Sequence, residues 1–178
     1  MVTFLLVVVL LIAVAVLGVI VVGYNKIRAA DIRVDEALGG IDVQLTRRAA
    51  LIPGLVSIVA SYAAHEQAVL ADVSTARTAL TAATDGKSVA RRSAAEREFD
   101  HAVGQVLALG QTYPELNSSN NFLNLQQHLA DTEDKLAFAR QYYNDAVAAL
   151  NTAIGTIPWM FVAGPTGVTE REYYQAPR

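Results

Sequence analysis

The sequence predicts an all-α protein, a single N-terminal transmembrane helix followed by an antiparallel up-down-up-down four-helix bundle. Three observations carry that expectation. Val2 to Val22 holds no charge, and only Thr3 and Gly18 interrupt its aliphatic and aromatic residues. This is a membrane-spanning length. The remaining chain lays its apolar residues at alternating spacings of three and four in four stretches of similar length, and no stretch suggests a strand.

The anchor comes first. Nothing basic precedes the apolar run, which ends in Val21-Val22-Gly23-Tyr24 without a cleavage-type site, so it reads as an uncleaved span over residues 2–23. Lys26, Arg28 and Arg33 all follow it, and the positive-inside rule then places the bulk of the chain in the cytoplasm. Ile27, Ala30, Val34, Leu38, Ile41, Leu45 and Ala49 form the first stripe, on a helix that continues the span. Pro53 either kinks one long helix or opens a new one. A new helix is expected, because an unbroken rod from Tyr24 to Ala82 would leave half of its apolar stripe without a partner.

Leu55, Val59, Tyr62, Val69, Val73, Ala76 and Leu80 give the second stripe. Thr84-Asp85-Gly86-Lys87-Ser88 is a turn by composition, with Ser88 placed to cap the next helix. Phe99, Val103, Val106 and Tyr113 make a weaker third stripe, closed by Pro114. Residues 117–121 are loop material. Phe122, Leu125, Leu129, Leu136, Ala139, Tyr143, Leu150 and Ile154 make the fourth and strongest stripe, which Pro158 ends. Helices of about 35–50 Å joined by short connections favour an antiparallel bundle over residues 24–155, leaving 156–178 as a C-terminal tail.

Composition closes off several functions. The 178 residues carry 17 acidic and 14 basic side chains, a formal charge of -3, so no basic excess exists to engage nucleic acid. Without cysteine there are no disulfides, thiolate metal sites or thiol nucleophiles. There is no GxSxG, no phosphate-binding glycine loop and no HExxH. No catalytic residue and no cofactor is expected.

The segments Tyr24-Asn25, IDVQLTRRAALIPGLV from Ile41, SYAAHE from Ser61, DVSTAR from Asp72, YPEL from Tyr113 and NNFLNLQQHLADTEDKLAFARQYYNDAV from Asn120 resemble the LemA family of bacterial membrane proteins. The likeness covers most of the chain after the anchor. It implies a single span followed by a helical bundle, with no established enzymatic activity. The resulting expectation is a non-enzymatic, membrane-anchored scaffold or interaction protein of the bacterial cell envelope. It would sit in the plasma membrane and assemble with itself or with another membrane protein.

Three groups of residues stand out. Glu66 falls on the second stripe, and Glu133 lies on the edge of the fourth, with Arg140 on the same side. A core-facing carboxylate must be paired, hydrogen-bonded, protonated or metal-bound. The expected arrangement is a structural polar network of Glu66, Arg77, Glu133, Arg140 and Asn144 between helices. The rival reading is a small metal-binding or catalytic bundle using Glu66 and Glu133. It finds only one Glu-x-x-His motif, at Glu98 and His101, where a ferritin-like site needs two. Arg47 and Arg48, before Pro53, are either a phosphate site or the polar shoulder of a corner at the far end of the bundle. The corner is expected, with the two cations beside the last carbonyls of the first helix. Finally, Trp159, Met160 and Phe161 follow a helix-ending proline on the membrane side. They either enter the lipid interface or plug the open end of the bundle.

Overall fold

The computed structural model describes residues 1–86 and 88–175, and among these it is all helix, turn and loop. Six helices follow in order: α1 (Val2–Tyr62), α2 (Gln67–Thr84), α3 (Val89–Thr112), α4 (Pro114–Asn117), α5 (Asn120–Gly155) and α6 (Met160–Thr166). The long helices α1, α2, α3 and α5 follow one another through short connections, in keeping with the helical bundle expected. Its residues fall into two compact units, Met1–Ala37 with Asn144–Glu172, and Leu38–Tyr143 with the chain from Tyr173 on.

The largest departure from expectation is at Pro53. Helix α1 does not end there but continues for a further nine residues to Tyr62, 61 residues in all, or about 90 Å at 1.5 Å per residue. The buried positions explain why. Ile41, Leu45, Arg48, Ile52, Leu55 and Val59 are all at most 5% exposed, and their spacing of four, three, four, three, four runs through the proline without a change of phase. One stripe is buried along one helix, so breaking it would cost packing on both sides. Proline removes the hydrogen bond to the carbonyl four residues earlier, that of Ala49. Arg77 on α2 fills the vacancy, its Nε donating to the Ala49 oxygen at 2.9 Å. We expect Arg77→Met to destabilise the bundle by about 1–3 kcal/mol. The effect should largely vanish in a Pro53→Ala background, where the helix regains its own donor. Unfolding of the four proteins of that cycle measures the coupling directly.

The chain turns instead at Ala63–Glu66, where Glu66 precedes α2 without capping it through its side chain. Other boundaries follow local chemistry. Ser88 caps α3, its Oγ accepting from the Arg91 amide at 3.3 Å, and Pro114 occupies the first turn of α4.

In the second unit, Phe99 and Val106 of α3, Leu80 of α2, Leu116 of α4, and Phe122 and Leu136 of α5 are fully buried alongside the α1 stripe. Each such side chain contributes about 1.5–3 kcal/mol by leaving water. Gly110 lets α3 pack closely here, because a Cβ there would stand 3.1 Å from the Phe122 ring and the ring would have to give by a few tenths of an ångström. In the first unit, Ile27 and Val34 of α1, Val147 and Leu150 of α5 and Val162 of α6 are buried. There Arg171 ties the last segment down, donating to Asp31 Oδ1 at 2.7 Å through Nη2 and lying 3.2 Å from Asp35. Residues 156–172 are thus a docked helix and strap.

Candidate functional site

Within the second unit the polar residues that fall on the apolar stripes meet in a line of alternating charge. Arg48 of α1 is 5% exposed. Its Nη1 lies 2.6 Å from Asp100 Oδ1 on α3 and 2.9 Å from Glu133 Oε2 on α5. Glu133 accepts from Arg140 Nη2 at 3.0 Å through its other oxygen. Arg140 also donates to Glu96 of α3, and the second oxygen of Glu96 accepts from the Tyr174 hydroxyl at 2.7 Å. The order is therefore Asp100, Arg48, Glu133, Arg140, Glu96, Tyr174, with three carboxylates facing two guanidinium groups. The two halves differ in quality. The contacts of Arg140 are aligned hydrogen bonds, whereas those of Arg48 are close but misaligned, leaving its Nη1, Asp100 Oδ1 and Glu133 Oε2 without a hydrogen-bond partner. Arg48 makes up part of this by lying over the Phe99 ring, 5.4 Å from its centroid.

Burial sets the electrostatics. It is the largest influence on Glu96 and Asp100 and pushes both carboxyls above their ordinary values, against the pull of the neighbouring donors and arginines. Asp42 shifts the same way, again chiefly by burial, although Arg92 grips it from two nitrogens at 2.7 and 3.0 Å. Burial, followed by the Glu96 charge, drives the Tyr174 hydroxyl far above the phenol range. For Arg140 burial opposes the charge, but Glu96 and then Glu133 outweigh it and keep the cation.

The expected network is only partly assembled. Glu133 and Arg140 meet as described. Glu66 is elsewhere, accepting from the Tyr113 hydroxyl at 2.9 Å, and Arg77 serves the Ala49 carbonyl. Asn144 is half-buried one turn beyond Arg140. Glu66 and Glu133 thus have separate partners, Tyr113 for the first and Arg48 and Arg140 for the second. The doublet at the supposed distal corner is split: Arg47 is exposed while Arg48 is buried. Sequence reasoning missed Glu96, Asp100 and Tyr174, and placed Arg48 on a polar corner rather than inside. Register was the available signal for two of them, since Arg92, Glu96, Phe99, Val103 and Val106 continue one stripe, as Arg48 does in α1. Glu98 and His101 line an open groove between α2 and α3 with Asp72. Among the described residues no group of three or more histidine and acidic side chains is arranged to hold a metal ion.

The third group divides as well. Trp159 is half-buried against α1, its ring so close to Gly23 that a Cβ there would stand 2.7 Å from Cε3, with Lys26 Nζ 5.1 Å over the ring. Val162 turns inward at 6% exposure, but Met160 and Phe161 face out at 46% and 73%.

An apolar N-terminal helix long enough to cross a membrane, continuous with a bundle whose interior carboxylates each lie beside an arginine, defines a membrane-associated helical protein. The chain belongs to the LemA family, whose family model matches residues 37–178. It is 24% identical to magnetosome proteins MamQ 1 and MamQ 2 of Paramagnetospirillum magneticum, over 91% of this chain and 68% of each relative. It is 32% identical to magnetosome protein MamQ of Magnetospirillum gryphiswaldense, over 45% of this chain and 29% of that protein.

Proposed function

We propose that the chain is a non-enzymatic, single-pass scaffold of the bacterial plasma membrane that assembles laterally with copies of itself or with another membrane protein. The observation that carries this reading is on α5. Phe138 and Tyr142, one turn apart, are 74% and 55% exposed, while Leu136, Arg140 and Tyr143 of the same helix close the interior. Adjacent exposed aromatic side chains are what the centre of a protein interface is built from. The buried ionic line supports a structural role in turn, because each carboxylate in it is next to an arginine. The relatives are named as magnetosome proteins, in keeping with a role at a membrane. Lys26, Arg28 and Arg33 directly after the span favour a cytoplasmic bundle.

The test uses full-length protein purified in mild detergent. Wild type should run as an oligomer or carry a membrane-protein partner. Phe138→Asp with Tyr142→Ser should run alone with an unchanged melting temperature, since both positions are outside the core. Equal size and composition for the two proteins would contradict the assembly face. Stoichiometric iron, manganese or zinc in the purified protein would favour the metal-binding alternative instead.

A further inference from the structure

The first unit contains a second apolar surface that the assembly face does not use. Ile157, Met160 and Phe161 are 74%, 46% and 73% exposed and sit together at the bend between α5 and α6. They stay outward although their neighbours Trp159 and Val162 pack inward. What they adjoin identifies their partner. Pro158, Phe161 and Val162 line one groove with Val16, Val19 and Ile20 of α1, and those three belong to the uncharged run that reads as the membrane span. They lie three to seven residues before Gly23, about 5–10 Å back along the helix axis at 1.5 Å per residue. A side chain packed beside them is therefore at that depth in the bilayer. The same depth, about 5–10 Å, is where interfacial helices bury their apolar faces at the boundary of headgroups and acyl chains.

We infer that Ile157, Met160 and Phe161 form a lipid-inserted wedge, a second membrane contact confined to the leaflet on the bundle side. Gly23 makes the geometry possible by letting the Trp159 ring lie against α1, which fixes α6 beside the span. Lys26, placed over that ring, stands at headgroup level, where a cation is well solvated and close to lipid phosphate. A span alone leaves a protein free to rotate about the membrane normal and to tilt. A wedge on one side of the span selects one tilt of that span. The inference rests on α1 crossing the membrane, and the test separates the two claims.

Because the chain has no cysteine, Phe161→Cys, Leu10→Cys and Ser118→Cys each accept a single nitroxide label. Full-length protein is reconstituted in phosphatidylcholine vesicles, and collisions of each label with oxygen, which concentrates in lipid, are compared with collisions with a water-soluble nickel chelate. The label at 161 should follow the label at 10 in favouring oxygen, while the label at 118, on an exposed loop, favours the chelate. A lipid-like label at 10 with a water-like label at 161 would overturn the wedge and leave the span intact. Water-like labels at both positions would overturn the span and the wedge together.

Discussion

Replacing Glu96 with alanine is expected to destabilise the bundle by about 3–5 kcal/mol, the loss typical of breaking a buried ion pair from one side. Glu96 is fully buried and holds two partners from different parts of the chain, Arg140 on α5 and the Tyr174 hydroxyl. Its removal takes one carboxylate from Arg140 and one hydrogen bond from the Tyr174 hydroxyl. Glu96→Gln should be milder, about 1–3 kcal/mol, because the amide keeps the shape of the site and can still accept from Tyr174. The comparison is decisive when read by denaturant unfolding in detergent. Equal losses for both variants would assign the whole effect to the charge that both remove, and no loss in either would mean that Glu96 is solvated.

Tyr174→Ala is the second large effect, expected at about 3–5 kcal/mol by analogy with other buried aromatic truncations. The ring is 3% exposed and meets Tyr143 edge-on, with centroids 6.2 Å apart and planes at 81°. Beside it the Ser93 hydroxyl donates to the Gln175 carbonyl. Tyr174→Phe keeps the ring and deletes one hydrogen bond to a charged acceptor, so it should cost about 1.5–3 kcal/mol. Unfolding curves rank the two. If Tyr174→Ala melts like wild type, the last segment is not part of the fold.

What the sequence revealed and what it concealed follow from how local the causes are. The apolar N-terminal helix, the Ser88 cap and the Pro114 boundary were legible because each depends on chemistry within a few residues. Pro53 misled for the same reason: its local meaning is a break, and the carbonyl it orphans is satisfied by Arg77, 28 positions away. The turn at Ala63–Glu66 was hidden because alanines favour helix, so nothing local announces a stop. Buried charges were harder still. A stripe sought as apolar residues passes over Arg48, Arg92 and Glu96, although their register puts them inside. Tyr174 sits in a segment with no periodicity at all, and only the folded chain places it.

The claim that these carboxyls are held in the interior of the fold is tested most directly by the pH dependence of melting. Glu96, Asp100 and Asp42 all have carboxyls raised above their ordinary values, chiefly by burial. A raised carboxyl binds its proton more readily in the folded chain than in the unfolded one. The stability it contributes is therefore full below the unfolded pKa and is lost as pH rises through the folded value. The melting temperature of the detergent-solubilised protein should thus fall as pH is raised from the ordinary carboxylate range towards neutrality, and Glu96→Gln should flatten that slope. A melting temperature that rises across the same interval, as exposed salt bridges would give, would contradict the account.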